Sequence, residues 1–232
     1  MKLLLCCLLC HAAVAAYSQP NYQAYNALLA NYVSKTGEVN YKALKTNPAA
    51  LIRAIDSFAK QTPSSKWSKN EQLAFWINAY NVFTIKLITD NYPLKSIMEL
   101  DGGKTWDVKR IKIGGELYSL NQIENEIIRP QFKDARIHFA LNCAAKSCPP
   151  LYDKAYLPSQ LEQQLDERTR SFVRSTNNEL SEKTVKISKI FDWYKADFGD
   201  LIVFLNKYAD VKISPQAKIT YAEYDWTVNS EQ

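Results

Sequence analysis

The sequence predicts an α+β fold: a helix-dominated single domain with a central buried helix, a β-hairpin and a few short strands. Three observations carry this expectation. Residues 69–90 hold Leu73, Phe75, Trp76, Ile77, Tyr80, Phe83, Ile85, Leu87 and Ile88, apolar on nearly all faces, as suits a helix enclosed by its neighbours. Residues 106–119 read as two short extended runs around Gly114-Gly115, a tight glycine turn. The other strand candidates are brief and interleaved with helical spacing, a pattern of the α+β class.

In chain order, residues 21–33 place Tyr22, Tyr25, Leu28, Leu29 and Tyr32 at helical intervals, and Gly37 stops the run. A second segment opens at Val39-Asn40-Tyr41, and residues 49–60 repeat the helical pattern until Thr62-Pro63 breaks it. Ser68, with Glu71 three residues on, forms a capping box for the central helix. Asn78 and Asn81 are its polar exceptions and need partners if buried. Val108, Arg110 and Lys112 alternate imperfectly with Lys109, Ile111 and Ile113, as in an exposed two-stranded ribbon. Ser119 or Asn121 caps the next helix, which ends before Pro130. Residues 136–142 are a short strand candidate, residues 158–173 an amphipathic helix, and residues 185–188 a strand. Residues 191–194 and 198–208 read as helices, the latter capped by Asp197, and a Tyr-rich segment at 219–228 closes the chain.

The chain has 232 residues, 47% of them apolar, which is enough to bury a substantial core. With 29 Lys+Arg against 24 Asp+Glu, the net charge of +5 is too mild for a nucleic-acid-binding face. Lys2 precedes an apolar run over residues 3–9, and small residues lead to Tyr17-Ser18, which together make a secretory signal peptide cleaved after Ser18. The expected organisation is therefore a signal peptide at 1–18 and one globular domain at 19–232. The apolar run is too short to span a membrane, and no later segment is longer. A lipoprotein anchor on Cys6, Cys7 or Cys10 is the less favoured alternative, because Cys10 has Cys7 and Leu9 where lipoprotein processing wants Leu and a small residue, and Cys6 and Cys7 lie too early. Cleavage leaves Cys143, Cys148 and one histidine, His138, in an oxidising periplasmic or extracellular compartment.

Three segments resemble a known family. They are Glu71-Gln-Leu-Ala-Phe-Trp-Ile-Asn-Ala-Tyr-Asn81, Arg136-Ile-His-Phe-Ala-Leu-Asn-Cys-Ala-Ala-Lys-Ser-Cys-Pro-Pro150 and Tyr224-Asp-Trp-Thr-Val-Asn229. Their order and spacing resemble the Domain of Unknown Function 547 family of secreted bacterial, plant and nematode proteins, over about residues 60–229. The resemblance implies a shared domain but supplies no reaction. It directs attention to Asn78, Tyr80, Asn81, His138, Asn142, Cys143, Cys148, Asp225 and Asn229.

The chemistry of these residues leaves two functions open. In the first, the chain is a binding module for a peptide, glycan or small polar ligand. Glu71, Asn78, Tyr80 and Asn81 line a cleft, and a Cys143–Cys148 disulfide pins the loop before Pro149-Pro150, a closure of six residues contributing roughly 2 kcal/mol. The alternative is a thiol-dependent hydrolase or transferase, with Cys143 or Cys148 as nucleophile, His138 as base, Asn142 or Asp225 orienting the imidazole, and Asn78 as a polar donor. A direct His138–Cys143 contact requires a bend, since the two point to opposite faces of a strand and sit about 140° apart on a helix. A redox-active pair is not favoured, because four residues separate the cysteines where two are usual. Neither metal nor other cofactor is expected, since the His138, Cys143 and Cys148 spacing fits no standard zinc site. Trp193-Tyr194 with Asp192 and Asp197 reads as a packed helix start, a reading that exposed aromatics would turn into a sugar platform. Tyr221, Tyr224, Asp225, Trp226 and Asn229 read as a strip docked on the core.

Overall fold

A computed structural model describes residues 20–231. The signal peptide expected at residues 1–18, with Cys6, Cys7 and Cys10, lies outside the described residues. The fold is α+β and helix-dominated, with two small sheets. Helices α1 (Gln23–Tyr32), α2 (Tyr41–Thr46) and α3 (Ala49–Ala59) lead to α4 (Lys69–Asn91). The capping box starts α4: Glu71 N–H donates to Ser68 Oγ at 3.2 Å, and Ser68 N–H donates to the Glu71 carboxylate at 2.7 Å. From Leu73 to Ile85 every residue of α4 is buried, which explains why the apolar positions favour no single face.

The hairpin pairs β1 (Ile111–Ile113) with β2 (Glu116–Tyr118), and Gly114 and Gly115 take the positive φ angles, 59° and 95°, that its turn demands. It is not the exposed ribbon expected, since Ile111 and Ile113 are buried and β1 packs on α3. A π-helical segment, Gln122–Ile128, follows and runs into α5 (Arg129–Phe132). Pro130 has no N–H to continue an α-helical ladder, and the ladder is widened immediately before it.

Residues 136–142, expected as a strand, instead enter through a 3-10 helix at Ala135–Phe139. Two causes are visible. Asp134 caps the turn by accepting from Arg136 N–H at 2.9 Å, and the Arg136 guanidinium is held by Asp134, Glu162 and Asp166. The apparent alternation was also no sheet face, because Ile137, His138, Phe139, Ala140 and Leu141 are all buried. Ile137, Ala140 and Leu141 join the core around α4, whereas Phe139 enters a second core.

That second core is built by α6 (Leu161–Val173), a sheet of β3 (Glu179–Leu180) and β4 (Thr184–Ile187), and three helices, α7 (Ile190–Trp193), α8 (Lys195–Phe198) and α9 (Leu201–Tyr208). Strand β5 (Lys218–Tyr221) completes the sheet, antiparallel β3–β4 and parallel β4–β5. Asp200, not Asp197, caps α9, accepting from Val203 N–H at 3.0 Å. The last residues return to the first core: Val228 N–H donates to Lys95 O, and Asn229 N–H donates to Ala144 O. Segment 135–150 thus lies between the two cores with the C-terminal strip across it. Among the described residues, no helix is long and apolar enough to cross a membrane.

Candidate functional site

The cysteine loop is shaped by amides. Asn81, on α4, donates to Ala140 O at 2.9 Å and accepts from Asn142 N–H at 2.9 Å, so one side chain closes both polar groups of the bend after the 3-10 helix. Asn142 repeats the device, donating to Pro149 O and accepting from Ala144 N–H, each at 2.9 Å. Ala144 adopts φ 62°, a left-handed conformation that costs a non-glycine residue energy and that these bonds enforce. The terminal strip fastens the outer side, where Lys146 N–H donates to Thr227 O at 2.8 Å and Ser147 N–H to Asp225 O at 3.2 Å. Replacing Asn81 by leucine strands a buried N–H and a buried carbonyl. Chemical denaturation should show a loss of about 2–4 kcal/mol, and Cys143 should alkylate faster as the bend loosens.

The bend delivers His138, Cys143 and Cys148 to one pocket of about 190 Å³. Buried Tyr80, Glu124 and His138 form its inner end, and half-buried Trp106, Tyr194, Tyr224 and Trp226 form its walls. Trp193 stands at the mouth, 47% exposed, with its ring 5.7 Å from Trp226 and nearly parallel to it.

His138 Nε2 lies 2.7 Å from Asp197 Oδ2, and Asp197 also receives Arg129 through Nε at 2.7 Å and a terminal guanidinium nitrogen at 3.1 Å. The imidazole stacks on Tyr194 at 3.9 Å between ring centres. Burial pushes the His138 pKa down to about 4, outweighing the attraction of Asp197. The ring is neutral at pH 7, and its contact with a carboxylate assigns the proton to Nε2 and leaves Nδ1 as an acceptor. Nδ1 faces Glu124 Oε1 at 3.9 Å. Burial raises the Glu124 pKa against the hydroxyls of Tyr194 and Tyr80, whereas Arg129 holds the Asp197 carboxyl below its ordinary range. The two carboxyls around one imidazole are therefore pushed apart in acidity.

The sulfurs are not bonded. Cys143 and Cys148 are free thiols 3.0 Å apart, so the expected disulfide is absent and the amide network holds the loop without it. Cys143 N–H donates to Cys148 Sγ at 2.9 Å, and Cys143 Sγ lies 3.3 Å from the Tyr224 hydroxyl. The Cys148 thiol, Tyr224 and Ala145 N–H lower the Cys143 pKa against its burial, while burial raises that of Cys148. Among the described residues no hydrogen bond joins His138 to either sulfur, and no group of three or more His, Cys, Asp or Glu side chains is placed to hold a metal.

Residues 64–173 match the family described as "Protein of unknown function, DUF547". The chain resembles the DUF547 family. No curated protein and no solved structure matches it. The DUF547-like segment supplies α4, the hairpin, Glu124 and the cysteine loop. Trp193, Tyr194, Asp197, Tyr224 and Trp226 lie beyond the match, so the pocket is completed from outside it.

The structure distributes the sequence-derived candidates unevenly. Tyr80, His138, Cys143 and Cys148 line the pocket. Asn78 does not: it donates to Tyr156 O and accepts from Tyr156 N–H, bracing a crossing segment as Asn81 does. Glu71 remains in its capping box, far along α4. Neither Asn142 nor Asp225 orients His138; Asn142 is spent on the loop, and exposed Asp225 accepts from Thr227 N–H at 2.8 Å. Asn229 accepts from the Tyr41 hydroxyl at 2.8 Å. The partner of His138 is Asp197, which the sequence reads as a helix cap, and Glu124 is a pocket carboxylate that its sequence spacing does not single out. The available signal for Asp197 was its place three residues after Tyr194, one helical turn from an aromatic next to Trp193. For Glu124 the only hint was Pro130 interrupting the helix that carries it.

Proposed function

We propose that the DUF547-like chain is an extracytoplasmic binding module, and that its pocket takes a single sugar ring of a glycan. The observation that carries this reading is Trp193: a large aromatic ring 47% exposed at the mouth of a pocket and backed by Trp226 at 5.7 Å. Such a ring offers its face to the apolar C–H side of a sugar, while Asn121, Glu124 and His138 supply donors and acceptors for hydroxyls. A packed helix start would have buried the indole. The hydrolase alternative gains nothing comparable, since His138 is committed to Asp197 and touches neither sulfur.

A panel of neutral hexoses, N-acetylhexosamines and their disaccharides, titrated against the purified protein, tests the reading through tryptophan fluorescence. At least one sugar is expected to give a saturable change. Trp193→Ala should weaken its binding about tenfold, roughly 1.4 kcal/mol, and Trp193→Phe should recover most of it. A panel without a saturable change, or an affinity untouched by Trp193→Ala, overturns the proposal.

A further inference from the structure

The geometry points to Cys143 and Cys148 as a redox-active dithiol that exchanges with small aliphatic disulfides entering the pocket, Cys143 attacking and Cys148 resolving. This activity is separate from sugar binding and does not rest on it. Three features of the loop support it. The sulfurs are 3.0 Å apart, so forming a bond of about 2.05 Å asks for a shift of about 1 Å within a loop already bent by Asn81 and Asn142. The two are unequal in access, Cys143 being half-buried and facing the pocket while Cys148 is 4% exposed. They are also unequal in environment. The Tyr224 hydroxyl, 3.3 Å away on the pocket side, can donate to a Cys143 thiolate, whereas Cys148 Sγ, which accepts from Cys143 N–H at 2.9 Å, also has Leu141 O at 3.8 Å as a weak acceptor for its own S–H. The acidities follow the same order, with Cys143 lowered and Cys148 raised. A pocket-facing attacking thiolate backed by a more deeply buried protonated thiol is the arrangement that thiol–disulfide exchange requires. The four-residue spacing, atypical for such a pair, is offset by the left-handed Ala144, which folds the loop back on itself.

The exchange balances. Cys143 sheds its proton, and its sulfur attacks one sulfur of R–S–S–R′. The ligand S–S bond breaks, Cys143 becomes joined to R–S, and R′–S⁻ leaves and takes up that proton. The Cys148 sulfur then attacks the Cys143 sulfur, the Cys143–Cys148 bond forms, and R–S⁻ leaves with the proton from Cys148. The protein dithiol loses two electrons, and the small disulfide gains them as two thiols. The reverse sequence reduces the protein pair and oxidises two small thiols.

The test uses the purified protein with 2-hydroxyethyl disulfide and 2-mercaptoethanol in graded ratios, followed by acid quench, alkylation and tryptic mapping. Cleavage after Arg136, Lys146 and Lys154 places the cysteines on separate peptides, 137–146 and 147–154, which a disulfide joins. The expected result is reversible, complete conversion between separate alkylated peptides and one linked pair as the ratio changes. Cys148→Ser should trap a thioethanol mixed disulfide on Cys143, and Cys143→Ser should lose most of the reaction. Peptides that remain separate in excess disulfide overturn the proposal, as do peptides that stay linked in excess 2-mercaptoethanol, which would make the bond a staple. A mixed disulfide caught in the wild-type time course on Cys148 rather than Cys143 also overturns it. The wild-type titration decides the matter even if either serine variant fails to fold.

Discussion

Phe139→Ala should lower the free energy of unfolding by about 3–5 kcal/mol, the largest effect expected of any single truncation near the pocket. Phe139 is 1% exposed, and its ring lies 5.3 Å from Phe172, 5.5 Å from Phe191, 5.9 Å from Phe198 and 6.2 Å from Phe204. It is the large buried apolar side chain that segment 135–150 sends into the second core, so the truncation removes the main apolar contact tying that segment to α7 and α8. Those short helices carry Trp193 and Asp197, and Tyr194 lies between them. A cavity beneath them frees the pocket wall as well as weakening the fold. Urea denaturation should show a lower midpoint, and tryptophan emission should shift to the red before global unfolding. Phe139→Leu, which refills much of the volume, should cost about 1–2 kcal/mol. Val203→Ala, at a side chain 68% exposed on α9, should stay within about 0.5 kcal/mol. A loss below about 1 kcal/mol for Phe139→Ala would show that the second core does not depend on this ring.

The same residue shows where sequence reasoning stops. The capping box and unbroken apolar density mark α4, the Gly114-Gly115 turn marks the hairpin, and helical spacing marks α6. Periodicity misread residues 136–142, where successive side chains serve two different cores and the pattern along the chain mixes two burial directions. The site was half legible for the same reason. His138, Cys143 and Cys148 are close in sequence and were found together, whereas Glu124 and Asp197 are brought in by a π-helical widening and by a short helix whose placement depends on packing. Local chemistry also misassigned polar residues with a local alternative. Asp197 was available as a cap, but Asp200 took that role and left Asp197 to Arg129 and His138. Trp193 was ambiguous because exposure, which separates a platform from a packing residue, is not encoded in the adjacent letters.

Acid should destabilise the protein through His138. In the unfolded chain this imidazole titrates near its ordinary 6.5, and in the fold burial holds it down to about 4. Between those values the unfolded chain binds more proton than the fold, so stability rises with pH across the window and is fully present above it. As pH falls from 7 to 4.5, the expected loss is roughly 2–3 kcal/mol, at about 1.4 kcal/mol for each unit of pKa displacement. Asp197 does not produce this slope. Arg129 is the chief cause of its lowered pKa, and its contribution is lost only as pH falls below the ordinary carboxylate range. Glu124 acts in the opposite direction, because burial raises its pKa and its protonated form favours the fold as pH falls. His138→Gln isolates the term: glutamine keeps a donor for Asp197 and cannot titrate. Urea denaturation of both proteins at pH 7 and pH 4.5 should show the wild type losing roughly 2–3 kcal/mol more than the variant. Equal slopes would place the His138 pKa at its ordinary value, and with it a solvated imidazole that charges in mild acid instead of a buried neutral acceptor facing Glu124.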